Sequence, residues 1–272
     1  MSKYYPSNYY SLSAPTIPMA SDFRRFIRRE RIGHSLGRAS WLGRLMNFVK
    51  GKPGVTDWIR LSGVGFDDRV LDVGTGAGHH LIHLRNMGFR CLAGVDPYIN
   101  EDIRHEDIII KKLYVEEITG QFDLVMFHHS FEHMPDPEAT MLAAARLTTP
   151  GKLILIRIPV AGTHAWRTYG PDWVQLDAPR HFFLHTVKSM EILASRSGLV
   201  IERVEYDSSG LQFWGSERYV RDLPLFPDPP DGGSPIFSQE ELARFEAHAV
   251  ALNTSGDGDQ ACFYLRKPAA SG

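Results

Sequence analysis

The sequence predicts an α/β fold in which helices cover both faces of a mostly parallel sheet, with an antiparallel strand at its edge. From Arg69 onward, short apolar runs alternate with stretches of helical periodicity, which is typical of β-α-β units. The first apolar run passes directly into a glycine-rich turn at 74–78, as a strand does when it leads tightly into a helix. The segment Cys262–Arg266 alternates apolar and polar residues and is predicted to be the closing edge strand.

The predicted elements follow one another in a regular order. Strands are expected at 70–73, 91–95, 108–110, 124–128, 153–158 and 199–206. Helices are expected at 79–87, 137–147 and 186–196. Gly88, Gly151 and Gly198 each follow the end of one of these helices, where glycine favours termination. The pattern therefore alternates strand and helix through most of the chain.

The region before the sheet, 1–60, is predicted to be an extended segment followed by a basic helical lid. Residues 1–20 are rich in Tyr, Ser and Pro, which suits extended chain, and we expect them to fold over the cleft. Between Asp22 and Lys52 nine Lys or Arg face two acidic residues, and apolar residues recur at helical spacing. We expect one or two amphipathic helices with a solvated basic face. An alternative is a surface for an anionic substrate or a membrane.

Residues 61–272 are predicted to form the main domain. It carries an acceptor-side insertion at 159–185 and a Pro/Gly-rich loop at 223–234. A net charge of −2 and a pI near 6.6 argue against binding nucleic acid by overall charge. Two cysteines make neither a disulfide framework nor a cysteine zinc site, so a reducing, cytoplasmic setting is expected. No signal peptide and no membrane span are expected.

The strongest motif is the strand and glycine loop from Val70 to Gly78. A dinucleotide-binding loop would place its third glycine at position 79, which is His79 here. Asp72 lies at the strand end beside the loop, where a carboxylate repels a pyrophosphate but attracts a cation. S-Adenosylmethionine carries a sulfonium and an ammonium and no phosphate. The loop therefore favours that cofactor, although Asp72 has an alternative role as a cap of the following helix.

A second acidic residue closes the next predicted strand. Asp96 follows 24 residues after Asp72 and precedes Pro97. Neighbouring parallel strands end at the same edge of a sheet, so both carboxylates are expected there. A carboxylate accepts two hydrogen bonds and suits the two ribose hydroxyls of a nucleoside. Asp96 is therefore predicted to bind ribose.

Over residues 68–159 the chain resembles the class I S-adenosylmethionine-dependent methyltransferases, which have a Rossmann-like fold. The resemblance includes the acid-x-Gly-x-Gly-x-Gly loop, Asp96, the fourth strand Phe122-Asp123-Leu124-Val125 and the turn into the fifth strand. It implies S-adenosylmethionine as cofactor, with the loop at the methionine end and the Leu113 region at the adenine. The cofactor-binding residues it implies are Asp72, Gly74, Thr75, Gly76, Gly78, Asp96, Pro97, Leu113 and His129.

Two histidine-rich segments are the candidates for catalysis. Methyl transfer to a hydroxyl needs a base, and neutral histidine is suited to it near pH 7. The candidate bases are His128, His129, His133 and His181, with His185 close by. The alternative for each is a structural, hydrogen-bonded role. Some relatives bind a metal through Glu-x-x-Glu-His, but this chain has His129 in place of the first Glu, so no metal site is expected.

The insertion at 159–185 carries aromatic and charged side chains after the fifth strand. Trp166, Tyr169, Trp173, Asp177 and Arg180 suit a sugar ring, and the alternative is an aromatic core over the sheet. The chain also resembles bacterial methyltransferase-like proteins associated with surface polysaccharide synthesis. This resemblance is carried by Tyr4–Tyr10, Trp173–His181 and Gln212–Glu217. It implies a glycan-related acceptor.

The predicted function is therefore methyl transfer from S-adenosylmethionine to a small molecule or glycan-related acceptor, at oxygen and with a histidine base. Three alternatives stay open from sequence. A nicotinamide-dependent oxidoreductase or epimerase would use the same type of sheet, and a non-catalytic binding protein would keep the fold without the chemistry. Methylation of RNA would draw on the basic stretch at 24–52.

Overall fold

A computed structural model describes residues 17–225 and 236–269. The helices are α1 Asp22–Ser35, α2 Trp41–Lys50, α3 Asp57–Ser62, α4 His79–Met87, α5 Pro137–Leu147, α6 His164–Tyr169, α7 Val187–Arg196, α8 Leu211–Val220 and α9 Gln239–Ser255. The strands are β1 Arg69–Val73, β2 Cys91–Val95, β3 Ile103–His105, β4 Ile108–Lys111, β5 Phe122–His128, β6 Thr148–Pro159, β7 Val200–Tyr206 and β8 Gln260–Arg266. The tyrosine-rich segment up to residue 16 and most of the Pro/Gly-rich loop lie outside the described residues.

The eight strands form one sheet in the order β3-β4-β2-β1-β5-β6-β8-β7. Strands β4, β2, β1, β5 and β6 are parallel, while β3 is an antiparallel edge strand beside β4. The predicted α/β fold is thus confirmed. Strand order reverses between β1 and β5, because the chain first builds outward through β2 and β4 and then returns to the other side of β1. Ligands of open α/β sheets bind at such a reversal, outside the carboxyl ends of the strands.

One expectation about the edge is wrong. The strand that contains Cys262–Arg266 is antiparallel as predicted, but it lies between β6 and β7 and is not outermost. The edge on that side is β7, in which no residue is fully buried, as expected of a strand that is paired on one side only. In contrast, all but the last residue of β8 are buried because it has neighbours on both sides. Local pattern identified both strands but not their order.

Each face of the sheet has its own hydrophobic core, as the alternation of side chains along the strands dictates. On one face Leu71 and Phe127 pack with residues of α5 and α7. On the other, Val70 and Met126 pack with residues of α1, α3 and α4. Helices therefore cover both faces, and the carboxyl ends of the central strands are left for a site.

The two predicted N-terminal helices are present as α1 and α2, but the basic face of α1 is not simply solvated. Arg25 is buried, and its guanidinium lies 2.6 Å from carboxylate oxygens of Asp22 and Glu106. Arg29 lies 2.5 Å from Asp67. These ion pairs fix α1 to the main domain, beside α4. None of the helices in 17–225 and 236–269 is long and apolar enough to cross a membrane.

Candidate active site

A cavity of about 630 Å³ opens at the carboxyl ends of β1, β2 and β5, where the strand order reverses. Most of the residues predicted to bind the cofactor line it: Asp72, Gly74, Thr75, Asp96, Pro97, Leu113 and His129. His128 and His133 line it as well, whereas Gly76, Gly78, His181 and His185 lie outside its wall. The volume suits a ligand of nucleoside size.

Asp72 lies in the cavity wall at the end of β1 and is 1% exposed. Burial raises the pKa of its carboxyl to about 7, although the hydrogen bond from Thr75 opposes the rise. That bond joins Thr75 Oγ1 to Asp72 Oδ2 over 2.7 Å. The alternative role of Asp72 as a helix cap is wrong, because the N-cap of α4 is Gly78 and no side chain caps that end.

Asp96 occupies the neighbouring strand end. Its Oδ2 accepts a hydrogen bond from the Gly76 backbone N–H over 2.8 Å, and its Oδ1 accepts one from Tyr98 N–H over 2.8 Å. Burial raises the pKa of Asp96, and these two backbone bonds oppose the rise. Each oxygen keeps a second lone pair for a ligand hydroxyl. In the described part of the chain, no Lys or Arg forms an ion pair with either Asp72 or Asp96. A cationic ligand would therefore favour the ionised form of both carboxyls and lower their raised pKa values.

Two glycines of the loop are required by neighbouring protein atoms rather than by a ligand. Gly74 has φ +73°, and a Cβ there would lie 2.4 Å from the Cβ of Ser130. Gly78 has φ +88°, and a Cβ there would lie 2.5 Å from Ile110 Cδ1. Ser130 also donates a hydrogen bond to the Val73 carbonyl over 2.6 Å. Close packing of the loop against Ser130 and Ile110 therefore requires glycine at both positions.

The aromatic residues of the cofactor side were missed by the sequence analysis. Tyr98 and Tyr114 line the cavity, and they directly follow Pro97 and Leu113. Aromatic rings are suited to stacking on a nucleobase. The signal was present in the sequence, since each tyrosine is one residue beyond a position already assigned to the cofactor.

His128 is buried at the end of β5, and neither ring nitrogen has a hydrogen-bond partner among the described residues. Its ring stacks on that of His80, with centroids 4.7 Å apart, and meets the edge of Trp58 at 4.9 Å. Burial lowers the pKa of His128 well below its ordinary value and that of His80 to about 4. Both rings are therefore neutral near pH 7. His80, in the first turn of α4, also lines the cavity and was not predicted.

His129 has a left-handed backbone, with φ +51°, which is uncommon outside glycine and often marks a functional position. Arg157 Nη1 lies 2.7 Å from its Nε2 and can only donate, so Nε2 accepts. In the neutral ring the proton is then on Nδ1, which lies 3.6 Å from Glu132 Oε1. With its lone pair bonded to a guanidinium, His129 is poorly placed to take a proton from an acceptor.

Glu132, His133 and His181 come together beside the cavity. Residues 131–133 form a single 3₁₀ turn, and His129 precedes this turn. The rings of His133 and His181 are 4.7 Å apart, and the possible ligand atoms of all three residues lie within 4.8 Å of one another. Only His133 of the three lines the cavity. His181 lies behind it.

His185 is a structural residue. Its Nδ1 lies 3.3 Å from Ser189 Oγ, and its ring packs 5.3 Å from that of Phe131. Burial lowers its pKa to about 4. It lies outside the cavity wall, so the structure favours the alternative role for this histidine.

The aromatic residues of the insertion form a small core rather than a cavity wall. Trp173 is fully buried, and its Nε1–H donates to Asp259 over 2.8 Å. Tyr169 packs against the same cluster, and Trp166 meets Trp173 edge-on at 5.9 Å. The structure thus favours the alternative of an aromatic core for these three. Asp177 is ion-paired with Arg180.

Comparison with known proteins decides the family. The model of a methyltransferase domain matches residues 28–204. The chain belongs to this family. Its methyltransferase domain is S-adenosylmethionine-dependent, with S-adenosylmethionine as the cofactor, and the nicotinamide alternative is thereby dropped.

Curated relatives match part of the chain. The ubiquinone biosynthesis O-methyltransferase of Xanthomonas oryzae pv. oryzae is 32% identical over 146 residues, which are 46% of this chain and 59% of that protein. The tRNA U34 carboxymethyltransferase of Alcanivorax borkumensis is 28% identical over 181 residues, 60% of this chain and 55% of that protein. The chain thus spans little more than half the length of these relatives.

Solved structures share the fold. A putative sarcosine dimethylglycine methyltransferase from Galdieria sulphuraria is 17% identical, with a TM-score of 0.51, over 78% of this chain and 82% of that one. A mycolic acid cyclopropane synthase, solved with S-adenosylhomocysteine, is 16% identical, with a TM-score of 0.52, over 78% and 83%. At such identities the likeness concerns the fold of the domain.

Proposed function

We propose that the protein transfers the methyl group of S-adenosylmethionine to a hydroxyl of a small-molecule or glycan-related acceptor. The supporting observation is that one cavity has two buried carboxylates, without Lys or Arg partners among the described residues, and a histidine. Asp72 and Asp96 supply the negative charge and acceptor atoms that the cofactor needs. His133 supplies a base for the hydroxyl.

The cofactor-binding residues contact different parts of the cofactor, according to their positions in the cavity. Asp72 faces the cationic methionine end, beside Gly74 and Thr75 of the loop. Asp96 accepts hydrogen bonds from the ribose hydroxyls through the lone pairs that its backbone partners leave. Leu113 and Tyr114 enclose the adenine. Because all of these groups are fixed by the sheet and by the loop, the cofactor is held in one orientation.

Methyl transfer is an in-line displacement at carbon. The acceptor oxygen forms the new O–C bond while the C–S bond breaks, and the electron pair of that bond neutralises the sulfonium to a thioether. The hydroxyl proton passes to His133. Its Nδ1 lies 2.9 Å from the Arg180 carbonyl oxygen, which can only accept, so the neutral ring has its lone pair on Nε2. His133 can act as the base only while that lone pair is not bound to a cation.

The choice of acceptor has separate support. The likeness to an O-methyltransferase supports oxygen as the methylated atom. The resemblance to proteins associated with surface polysaccharides supports a glycan-related hydroxyl. RNA is less favoured, because Arg25 and Arg29 of the basic N-terminal stretch are engaged in ion pairs within the protein. The two free cysteines, Cys91 and Cys262, support a reducing, cytoplasmic setting as part of this proposal.

Calorimetric titration tests the cofactor site. The full chain is titrated with S-adenosylmethionine, S-adenosylhomocysteine and NAD, beside Asp96→Ala and the control Glu101→Ala, which removes an exposed carboxylate five residues further on. We expect saturable binding of the first two ligands, lost in Asp96→Ala and kept in the control. Binding of NAD alone would overturn the cofactor assignment.

Acceptor screening with a radiolabelled methyl donor tests the substrate class. Nucleotide sugars, glycans, phenols and transfer RNA are compared under the same conditions. Methylation of a hydroxyl in the first three groups supports the proposal. Methylation of transfer RNA alone, or of nitrogen in every accepted compound, overturns it.

A further inference from the structure

The cluster of Glu132, His133 and His181 has the composition of a metal site. Two imidazoles and a carboxylate are the ligand set of many open zinc sites, and they suit other first-row divalent cations too. The three come from two segments, the 3₁₀ turn at 131–133 and the loop that follows Asp177. The Phe182 backbone N–H donates to the Glu132 carbonyl over 2.9 Å and ties these segments together.

Backbone carbonyls orient both imidazoles. Nδ1 of His133 lies 2.9 Å from the Arg180 oxygen, and Nδ1 of His181 lies 2.8 Å from the Gln175 oxygen. Since a carbonyl oxygen only accepts, both Nδ1 atoms carry protons and both Nε2 atoms carry lone pairs. Metal-binding histidines are held in this way by their outer partners.

The carboxylate of Glu132 has no hydrogen-bond partner of its own. Its residue is 1% exposed, and neither carboxylate oxygen has a partner within hydrogen-bonding distance among the described residues. His181 Nε2 lies 4.0 Å from Oε1, which is too long for a hydrogen bond. Two ligands of a tetrahedral zinc ion lie about 3.4 Å apart, so small side-chain movements would bring the donors onto one ion. The nearest further imidazole nitrogen is His129 Nδ1, 3.6 Å from Oε1, which compensates the buried carboxylate only in part. A cation would remove the remaining cost of its burial.

We propose that Glu132, His133 and His181 bind one first-row divalent cation, such as Zn²⁺ or Mn²⁺. This replaces the expectation, drawn from His129, that the chain has no metal site. His133 lines the cavity, so the cation would lie next to the space proposed for the acceptor. The consequence for catalysis rests on the proposed function. A cation there lowers the pKa of an acceptor hydroxyl, the proton leaves to water, and His133 serves as a ligand instead of a base.

Cation binding is measured directly. The full chain is stripped with a chelator and titrated with Zn²⁺ or Mn²⁺ against a competing indicator, and Co²⁺ substitution is followed by its visible spectrum. The variants are Glu132→Gln, which keeps the side-chain volume, and His181→Gln. The control is His83→Ala, which removes an exposed histidine of α4. Near-UV circular dichroism verifies that each variant is folded.

We expect one equivalent per chain and a four- or five-coordinate cobalt spectrum. Removal of a group that only orients a metal ligand lowers metal affinity by roughly 10- to 100-fold. Glu132→Gln and His181→Gln remove ligands themselves, so each should lower the affinity for the cation by more than this, while the affinity of the control stays unchanged. Absence of binding to the stripped chain, or equal affinity in Glu132→Gln, overturns the proposal. Titration with S-adenosylhomocysteine separates the two proposals, because loss of the metal with intact cofactor binding leaves the cofactor site standing.

Helix α2 carries a second, independent inference, because it packs with its polar side inward. Asn47 is buried and donates from Nδ2 to the Arg31 carbonyl of α1 over 2.9 Å. Gly43 also faces α1, and a Cβ there would lie 2.2 Å from the Glu30 oxygen. The apolar side faces outward instead: Trp41 is 78% exposed, Leu45 54%, Phe48 89% and Val49 72%. Surface helices ordinarily bury the apolar stripe.

The charged residues of the segment that carries this stripe have one sign. Residues 38–56 contain Arg38, Arg44, Lys50 and Lys52 and no Asp or Glu. Aromatic side chains on one face with Lys and Arg at its border are typical of helices that lie in the plane of a membrane interface. We infer that α2 docks on an anionic lipid surface, with Trp41 and Phe48 inserted among the acyl chains.

Vesicle sedimentation tests this inference on the full chain. Vesicles of phosphatidylcholine alone are compared with vesicles that also contain phosphatidylglycerol, for the unaltered chain, Phe48→Glu and Lys50→Ala. The control is Val250→Glu, on an exposed apolar residue of α9. We expect binding to the anionic vesicles only, abolished by Phe48→Glu, weakened about fivefold by Lys50→Ala and unchanged in the control.

Three results would contradict docking of α2 on lipid. Equal binding by the unaltered chain and Phe48→Glu overturns the inference, and so does no binding to anionic vesicles. A lipid-free dimer in light scattering that Phe48→Glu converts to a monomer would assign the stripe to a second copy of the chain instead.

Discussion

Replacement of Asp72 by Asn should stabilise the protein without its cofactor and weaken cofactor binding at the same time. The pKa of the buried carboxyl is about 7 in the folded chain, against about 3.9 in an unfolded chain. A carboxyl whose pKa is raised by folding costs stability as pH rises through this interval. The cost is at most about 4 kcal/mol at pH 8 and about 1.5 kcal/mol at pH 5. Asn carries no charge, and its oxygen still accepts the bond from Thr75.

Urea unfolding at the two pH values measures the first half of this prediction. The stability advantage of Asp72→Asn should be larger at pH 8 than at pH 5 and should level off above pH 7. Titration with S-adenosylmethionine measures the second half, with affinity reduced about 10- to 100-fold by the loss of a charged partner. A variant that is less stable than the unaltered chain at both pH values would refute the reasoning, because it would mean that a partner already compensates the carboxylate.

Two further predictions concern packing around the site. Gly74→Ala should lower the free energy of unfolding by about 2–4 kcal/mol, because the backbone there is left-handed and the new Cβ clashes with Ser130. Gly162→Ala is the control, since Gly162 has φ +81° but open space around it, and it should lower the free energy of unfolding by only about 1–2 kcal/mol. Urea unfolding compares the two, and equal losses would contradict the packing argument. Trp173→Phe removes a hydrogen-bond donor to the buried Asp259, so it should lower the free energy of unfolding by about 2–3 kcal/mol. The loss should be larger at pH 8 than at pH 5, because removal of this bond raises the pKa of the Asp259 carboxyl further. A pH-independent loss in thermal or urea unfolding would contradict it.

Much of the fold follows from local pattern. The strands of the central sheet were predicted because they are short, mostly apolar runs that alternate with helical stretches. Their predicted bounds differ from the structure mainly at the starts of β5 and β6. Strand β3 was missed because three residues, Ile103–His105, carry no readable alternation. The positions of β7 and β8 were not predictable, since both alternate and their order depends on pairing between distant segments.

Some residues of the candidate site could likewise be predicted from local pattern, and others could not. Asp72 and Asp96 were predictable because a carboxylate at a strand end has a known place in such a sheet. The contact between Glu132 and His181 was not, because it joins residues 49 apart through an irregular loop. His128 was expected near an acceptor, but its burial against His80 follows from the packing of α4 on the sheet, which the sequence does not display.

The place of β8 within the sheet has a consequence for how the protein is made. Strand β8 begins more than fifty residues after β7 ends, yet it lies between β7 and β6. During translation, every residue that lines the cavity is synthesised before β6. One edge of β6, with its run of Leu and Ile, then remains unpaired until β8 is synthesised. Exposed apolar edges recruit other chains. Nascent copies that stall before residue 260 should thus aggregate through β6, and synthesis of β8 removes that hazard.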